Sequence, residues 1–228
     1  DEALATGDAT ELSDLGLRFD LTVPLTRYYA TNRAELPTVF KAIQTGPVFR
    51  AERPQKGRYR QFVQCDIDII GDSSVLAEID LLVSSLDALA AIGINDASIR
   101  INHRVLLANL LDGLGVPEDG RGVAMIIIDK LDKIGIEGVA KELGEKFGQA
   151  IEKSAQAWLT SIDVKDIPAV LQPIWDGLGV KAKSLRFDPT LVRGMGYYTG
   201  TIFEIEHPGS GSSIGGGGRY DGMVGKWL

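Results

Sequence analysis

Three observations predict an α+β protein carrying a small all-helical insertion. A strand–loop–strand pattern, GPVFRAERPQKGRYRQFVQCDIDIIG, fills residues 46–71. A long amphipathic pattern follows at 72–91, with Val75, Ile79, Leu82, Leu86 and Leu89 at spacings of four and three. From 116 to 183, glycine-punctuated helical segments succeed one another with no strand of comparable strength between them.

The first stretch reads as a hairpin, with strands at 47–52 and 61–70 and a connection holding Arg53, Lys56, Arg58 and Arg60 beside the turn residues Pro54 and Gly57. Side chains alternate between the faces of a strand. One face of the second strand therefore carries Val63, Cys65, Ile67 and Ile69, an apolar row fit for a packed core. The other carries Phe62, Gln64, Asp66 and Asp68. Arg50 and Glu52 share a face of the first strand. An ordinary half-solvated sheet has this pattern; so does a floor that grips a small zwitterion and a polyphosphate.

At 228 residues the chain is long enough for a sizeable core in one or two domains. Hydrophobic residues at 44% and charged residues at 24% are ordinary for a soluble globular protein. A formal charge of −7 argues against nonspecific nucleic-acid binding over the whole surface, though not against a local basic funnel. The single cysteine, Cys65, falls in the apolar row, so a buried, inert thiol is expected and a reducing cytoplasm fits. No apolar run reaches the roughly 18 residues of a membrane span, and no signal peptide is evident. A soluble, cytoplasmic protein is the expectation.

In chain order, residues 1–16 read as a loop. LRFDL at 17–21 alternates as a short strand, with Arg18 and Asp20 on one side. Thr22 then caps a helix with Pro24 in its first turn and Leu25, Tyr28 and Tyr29 as its buried stripe. Asp20 and Thr22 thus stand at a strand end beside a helix start, where a ligand's polar group or a plain cap-and-turn are equally apt. Asp72 and Ser73 start the helix that Gly93 ends. A strand is expected at 99–101, and Asn102 caps a helix whose first turn holds His103. His103 and His207 have no companions at metal-ligand spacing, so no metal site is expected. Within the insertion, helices are expected near 121–134, 136–147, 149–160 and 166–178, the last capped by Asp166. Lys130, Lys133, Lys141, Lys146 and Lys153 alternate with acids and read as a solvated face.

The last informative stretch is FDPTLVRGMGYYTGTIFEIE at 187–206. Gly194 and Gly196 let backbone approach a ligand while Arg193 reaches over it. Tyr197 and Tyr198 follow, and residues 201–206 alternate as a strand. SIGGGGRYD at 213–221 brings four successive glycines between apolar residues, which marks close packing, here expected against a ligand, rather than a linker.

Together RFDLTVPLTRY, the 46–71 hairpin, LVRGMGYYTGTIFE and GGGGRYDGMVG resemble the histidyl-tRNA synthetases, a family of class II aminoacyl-tRNA synthetases, in the right order over most of the chain. The hairpin is similar to the second signature motif of that class. The resemblance implies a class II antiparallel sheet flanked by helices, and an ATP-dependent, AMP-forming histidine-tRNA ligase. In that reaction histidine and ATP give histidyl-adenylate, which is passed to the histidine tRNA. Arg50 and Arg193 match the family's arginines on the α-phosphate. Glu52, Arg58 and Phe62 match positions around adenine and the outer phosphates, with Mg2+ implied as counter-ion. Asp20, Thr22 and Gln64 match groups on the substrate's α-ammonium. Asp68 and Tyr198 match those that address its imidazole, with Tyr197 beside them. Asp20 and Asp68 stand where glutamate is familiar, and Gly196 where the family carries aspartate.

The resemblance also divides the chain into a first part of the catalytic core at 1–115, the helical insertion at 116–183, and a second core part at 184–228. The family's first motif, which builds a homodimer interface, its third motif and any anticodon-binding domain find no match. A catalytic-core fragment, weak or inactive alone, is therefore the expectation. A synthetase-like module is the alternative reading, either a regulatory subunit of ATP phosphoribosyltransferase or a tRNA-sensing domain. Such relatives tend to lose the arginines and histidine-binding groups that are present here.

Overall fold

Strand β1 (Phe40–Phe49) pairs antiparallel with β2 (Gln61–Ile70), in a register that sets Gly46 opposite Gln64, Gln44 opposite Asp66 and Ala42 opposite Asp68. The structure is a computed structural model that describes residues 7, 14–54, 57, 59–162, 164, 166–193, 197–210 and 213–225. Contacts divide the chain after Gly71 into two units.

In the first unit the hairpin is longer on its first arm than the sequence suggests. It begins at Phe40 and ends at Phe49, so Arg50 and Glu52 lie beyond the strand rather than on one face of it. One further hydrogen bond, from Arg50 N to Arg60 O, closes the pair. The expected strand at 17–21 is an extended segment outside any sheet. Its backbone still meets β1, because Phe49 N donates to Arg18 O and the Arg18 side chain donates to Pro47 O at 2.7 Å. Helix α1 (Thr22–Asn32) follows, and its cap is Asp20, whose Oδ1 accepts from Val23 N at 3.1 Å. Thr22 is the first helical residue, not the cap. Leu25 and Thr26 are the buried residues of α1, while Tyr28 is exposed and Tyr29 packs on Phe40.

The faces of β2 are the reverse of the expected burial. Val63 is 66% exposed and Cys65 is exposed, whereas Asp68 and Ile70 are each 8% exposed. Alternation tells which side chains share a face; it cannot tell which face is covered.

The second unit begins at Asp72. Asp72 and Ser74 cap by side chain, and α2 runs over Leu76–Ala91, starting later than expected. Its sheet has the order β4 (Leu185–Phe187), β3 (Ser98–His103), β5 (Thr201–Glu206), β6 (Gly215–Gly218), parallel between β3 and β4 and antiparallel elsewhere. Ile99, Ile101, Phe203 and Ile205 alternate onto one face, where they form a core with Leu82 of α2 and with Leu171, Ile174 and Leu178. Those last three lie in or beside α7 (Gln172–Leu178). The expected helix from Asp166 starts six residues late, after a turn in which Pro168 O accepts from Leu171 N and Gln172 N.

The cap of α3 (Arg104–Leu114) is His103, not Asn102: Nδ1 of His103 accepts from Val105 N at 3.2 Å. Burial, opposed by Glu78 and helped by Arg219, holds His103 below its ordinary pKa, which suits an acceptor nitrogen. Asn102 is instead fully buried and donates to the carbonyls of Pro189 and Leu191. Then come α4 (Arg121–Ile128), α5 (Leu131–Phe147) and α6 (Gln149–Ser161). Gly135, with φ at 69°, kinks α5 where a side chain would be strained. These helices share with α3, Leu191, Val192 and Ile202 a second core.

Candidate active site

Strand alternation puts Gln64, Asp66 and Asp68 in one row of β2, and the register faces that row with Gln44 and Gly46 of β1. Gly46 lies under the 18–21 segment: a methyl there would stand 2.9 Å from Arg18 Nη2, the far end of a flexible side chain, and 3.7 Å from Leu21 Cδ2. The amide of Gln44 fixes the same segment by donating to Leu21 O at 3.3 Å. Asp20 is thereby brought to the carboxylates of the row.

Burial first, then Asp68 and Asp20, raise the Asp66 carboxyl from 3.8 to about 6, with Arg50 pulling the other way. Three carboxylates and one guanidinium therefore share a partly desolvated space. The Gln64 Oε1 atom is buried there, and no described residue donates to it. An orphaned acceptor beside excess negative charge suits a small ligand with an ammonium group.

Arg50 is held by cation–π contacts. Its guanidinium carbon lies 4.4 Å from the Phe19 ring centroid and 5.1 Å from that of Phe62, and Nε donates to Phe19 O at 3.4 Å. Among the described residues no acceptor takes its other N–H groups, which could meet an anion. Glu52 is exposed in the connection, its carbonyl accepting from Arg60 Nε. Arg58 and Lys56 lie outside the described residues, as do Gly194 and Gly196.

In the second unit Arg193 and Tyr198 lie over β6. A methyl on Gly216 would be 3.6 Å from the Arg193 guanidinium, and one on Gly218 would be 3.1 Å from Tyr198 Cδ1. The glycine strand is thus packed under the protein's own side chains, Arg193 and Tyr198. Tyr197 and Tyr198 meet edge to face with centroids 4.6 Å apart. Arg193 is paired with Glu204, Nε donating to Oε2 at 3.1 Å and Nη2 to Oε1. Among the described residues no group of three or more His, Cys, Asp or Glu side chains could hold a metal ion.

The expected residues accordingly fall into two sets. Asp20, Thr22, Arg50, Glu52, Phe62, Gln64 and Asp68 belong to the first unit, and Arg193, Tyr197 and Tyr198 to the second. Phe19, Gln44, Asp66 and Glu204 were assigned no role from the sequence. Asp66 was findable, since it alternates in phase with Gln64 and Asp68; Glu204 lies in the expected 201–206 strand, where no residue was assigned a role. Phe19 and Gln44 were not, because their roles depend on how the 18–21 segment crosses β1.

A family model described as histidyl-tRNA synthetase matches residues 2–227. The histidine-tRNA ligase of Leifsonia xyli subsp. xyli is 52% identical over 99% of this chain and 58% of its own length. The crystal structure of histidyl-tRNA synthetase from Nostoc sp. PCC 7120 superimposes with a TM-score of 0.77 at 30% identity, over 92% of this chain and 54% of that one. A Bacillus halodurans structure, titled as an ATP phosphoribosyltransferase regulatory subunit/histidyl-tRNA synthetase, is alike in fold. Its TM-score is 0.69 at 21% identity, over 92% of this chain and 59% of that one. The chain spans about half the length of the curated relatives it matches.

Proposed function

Since the chain belongs to the histidyl-tRNA synthetase family, we propose that it carries catalytic-core residues that activate histidine with ATP and serve transfer to the histidine tRNA. The observation that carries this reading is the buried, undonated Gln64 Oε1 in a space it shares with Asp20, Asp66 and Asp68. An α-ammonium would donate to Gln64 and relieve the mutual repulsion of the acids. The ligase names of the high-identity relatives support the synthetase reading over the regulatory alternative.

In the proposed reaction a carboxylate oxygen of histidine attacks the α-phosphorus of ATP. The new O–P bond forms as the bond to the pyrophosphate oxygen breaks, so no external base is required and charge gathers on the phosphoryl oxygens. Alignment and fixed cations are what lower such a barrier. Arg50, in cation–π contact with two rings, is the cation assigned to the α-phosphate, and Phe62 and Glu52 are assigned to the nucleotide. Arg193 is assigned a phosphate oxygen as well. Asp68 and Tyr198 are assigned the imidazole, whose donor and acceptor a carboxylate and a phenol can satisfy. Mg2+ is proposed as the counter-ion of the outer phosphates. Such an ion takes most of its ligands from ATP and water. A cytoplasmic location and a homodimeric whole protein belong to this proposal.

Calorimetric titration of histidine into the polypeptide with ATP and Mg2+ tests the reading. Binding is expected, weakened about tenfold or more by Gln64→Ala. Equal heats for wild type and variant would remove the basis of the assignment.

A further inference from the structure

Glu204 has no place in the reading above, yet it makes the closest polar contact that Arg193 has among the described residues. The carboxylate takes Nε–H and one Nη2–H of the guanidinium, a two-point grip on one edge. Five N–H donors in a rigid plane leave three unspent: both on Nη1 and the second on Nη2. No described residue accepts a hydrogen bond from Nη1. The guanidinium passes over Gly216, the residue directly opposite Glu204 in the β5–β6 pair, where a methyl would stand 3.6 Å from both its carbon and Nη1.

Glu204 is itself well anchored for this task. Its side chain is 14% exposed, against 38% for Arg193, so the acid is the fixed partner and the cation the presented one. Burial pushes the Glu204 carboxyl up, but the hydrogen bond and charge of Arg193, with help from Ser213 and Arg100, bring it below the usual range. Asp129 also faces the pair, and Lys133 and Asp132 are close enough to act on Asp129.

We propose that Glu204 is a positioning residue, which clamps the Nε edge of Arg193 and thereby turns the Nη1 edge toward an anionic ligand. This rests on the reading of Arg193 as a phosphate-binding group, and extends it by naming what orients that group. The clamp stays closed when the ligand binds, because the two anions use different edges of the same cation.

The test is ATP–Mg2+ binding by calorimetry for wild type, Arg193→Ala, Glu204→Gln and the double variant, with 15N-resolved spectra of the Arg193 Nε–H. Arg193→Ala is expected to weaken binding about tenfold to hundredfold. Glu204→Gln is expected to weaken it about tenfold, and to add nothing in the Arg193→Ala background. The Nε–H signal is expected to be exchange-protected in wild type, to persist when ATP is added, and to lose protection in Glu204→Gln. Glu204→Asp should restore part of the affinity. Should Arg193→Ala bind ATP as wild type does, the phosphate role itself falls. A weakened Arg193→Ala beside an unaltered Glu204→Gln, or an Nε–H released by ATP, overturns the clamp alone. A variant weakened only through poor folding would show an additive double variant, which overturns it too.

Discussion

Glu78, in the first turn of α2, accepts two hydrogen bonds from Arg219, from Nε at 2.7 Å and from Nη2 at 2.5 Å. Glu78 is buried and Arg219 partly so, their side chains 10% and 16% exposed, and the guanidinium also donates to the carbonyls of Asp72 and Ser74 and to Asp221. The end of the glycine strand is thereby tied to the start of a helix about 140 residues earlier. Removing Glu78 leaves the guanidinium its carbonyl and Asp221 partners but takes away its paired carboxylate. Glu78→Ala is expected to lower stability by about 1 to 2 kcal/mol, a fall of roughly 2 to 8 °C in Tm for a domain of this size. Thermal unfolding followed by circular dichroism reads it, and a change below about 2 °C would show that the pair is dispensable.

The acid row of β2 gives a pH dependence of known sign. Asp66 titrates near 6 in the folded chain and near 3.8 when unfolded, so its contribution favours folding below about 3.8 and is lost as pH rises through 6. Because the group is only half desolvated, the loss is discounted to about 1 to 2 kcal/mol. Asp66→Asn is expected to be more stable than wild type by that amount at pH 7.5, the difference closing toward pH 4. Denaturant titrations at the two pH values decide it. Under the proposed function, histidine binding at pH 6 also releases protons, visible as heats that change with the ionisation enthalpy of the buffer.

Gly218 and Gly215 are expected to respond differently to alanine. At Gly218 the new methyl would lie 2.7 Å from the carbonyl oxygen of Thr201, which is backbone and cannot turn aside; at Gly215 it meets the end of the Ile205 side chain at 3.2 Å. Gly218→Ala should cost about 1 to 3 kcal/mol, and Gly215→Ala well under 1 kcal/mol. Equal melting temperatures for the two would show that β6 shifts bodily to make room.

Arg50→Lys is expected to fail where charge alone would suffice. A lysine keeps the charge but loses the planar guanidinium that meets the Phe19 and Phe62 rings, and its paired donors. Under the proposed function, histidine-dependent pyrophosphate exchange supported by this sequence is expected to fall about a hundredfold. Retained exchange would mean that Arg50 serves packing rather than phosphate.

Much of the fold was written in local patterning. The hairpin, the α2 periodicity and the 201–206 alternation each fix an element because the period of apolar residues must match the period of the backbone. Caps were less legible: Asp20, His103 and the turn before Gln172 do what Thr22, Asn102 and Asp166 were expected to do. Several residues near a helix start can each accept its first N–H groups, and which one does is settled by where the preceding chain is anchored.

Sequence by itself determined that Gln64, Asp66 and Asp68 share one side of a strand, and that the chain belongs with the histidyl-tRNA synthetases, since a strand repeats every second residue and the motifs are contiguous. Tertiary structure alone decided that this polar side is the covered one, that Arg50 meets the rings of Phe19 and Phe62, and that Glu204 grips Arg193. Each of those depends on the burial or approach of segments distant in the chain, which no local period encodes.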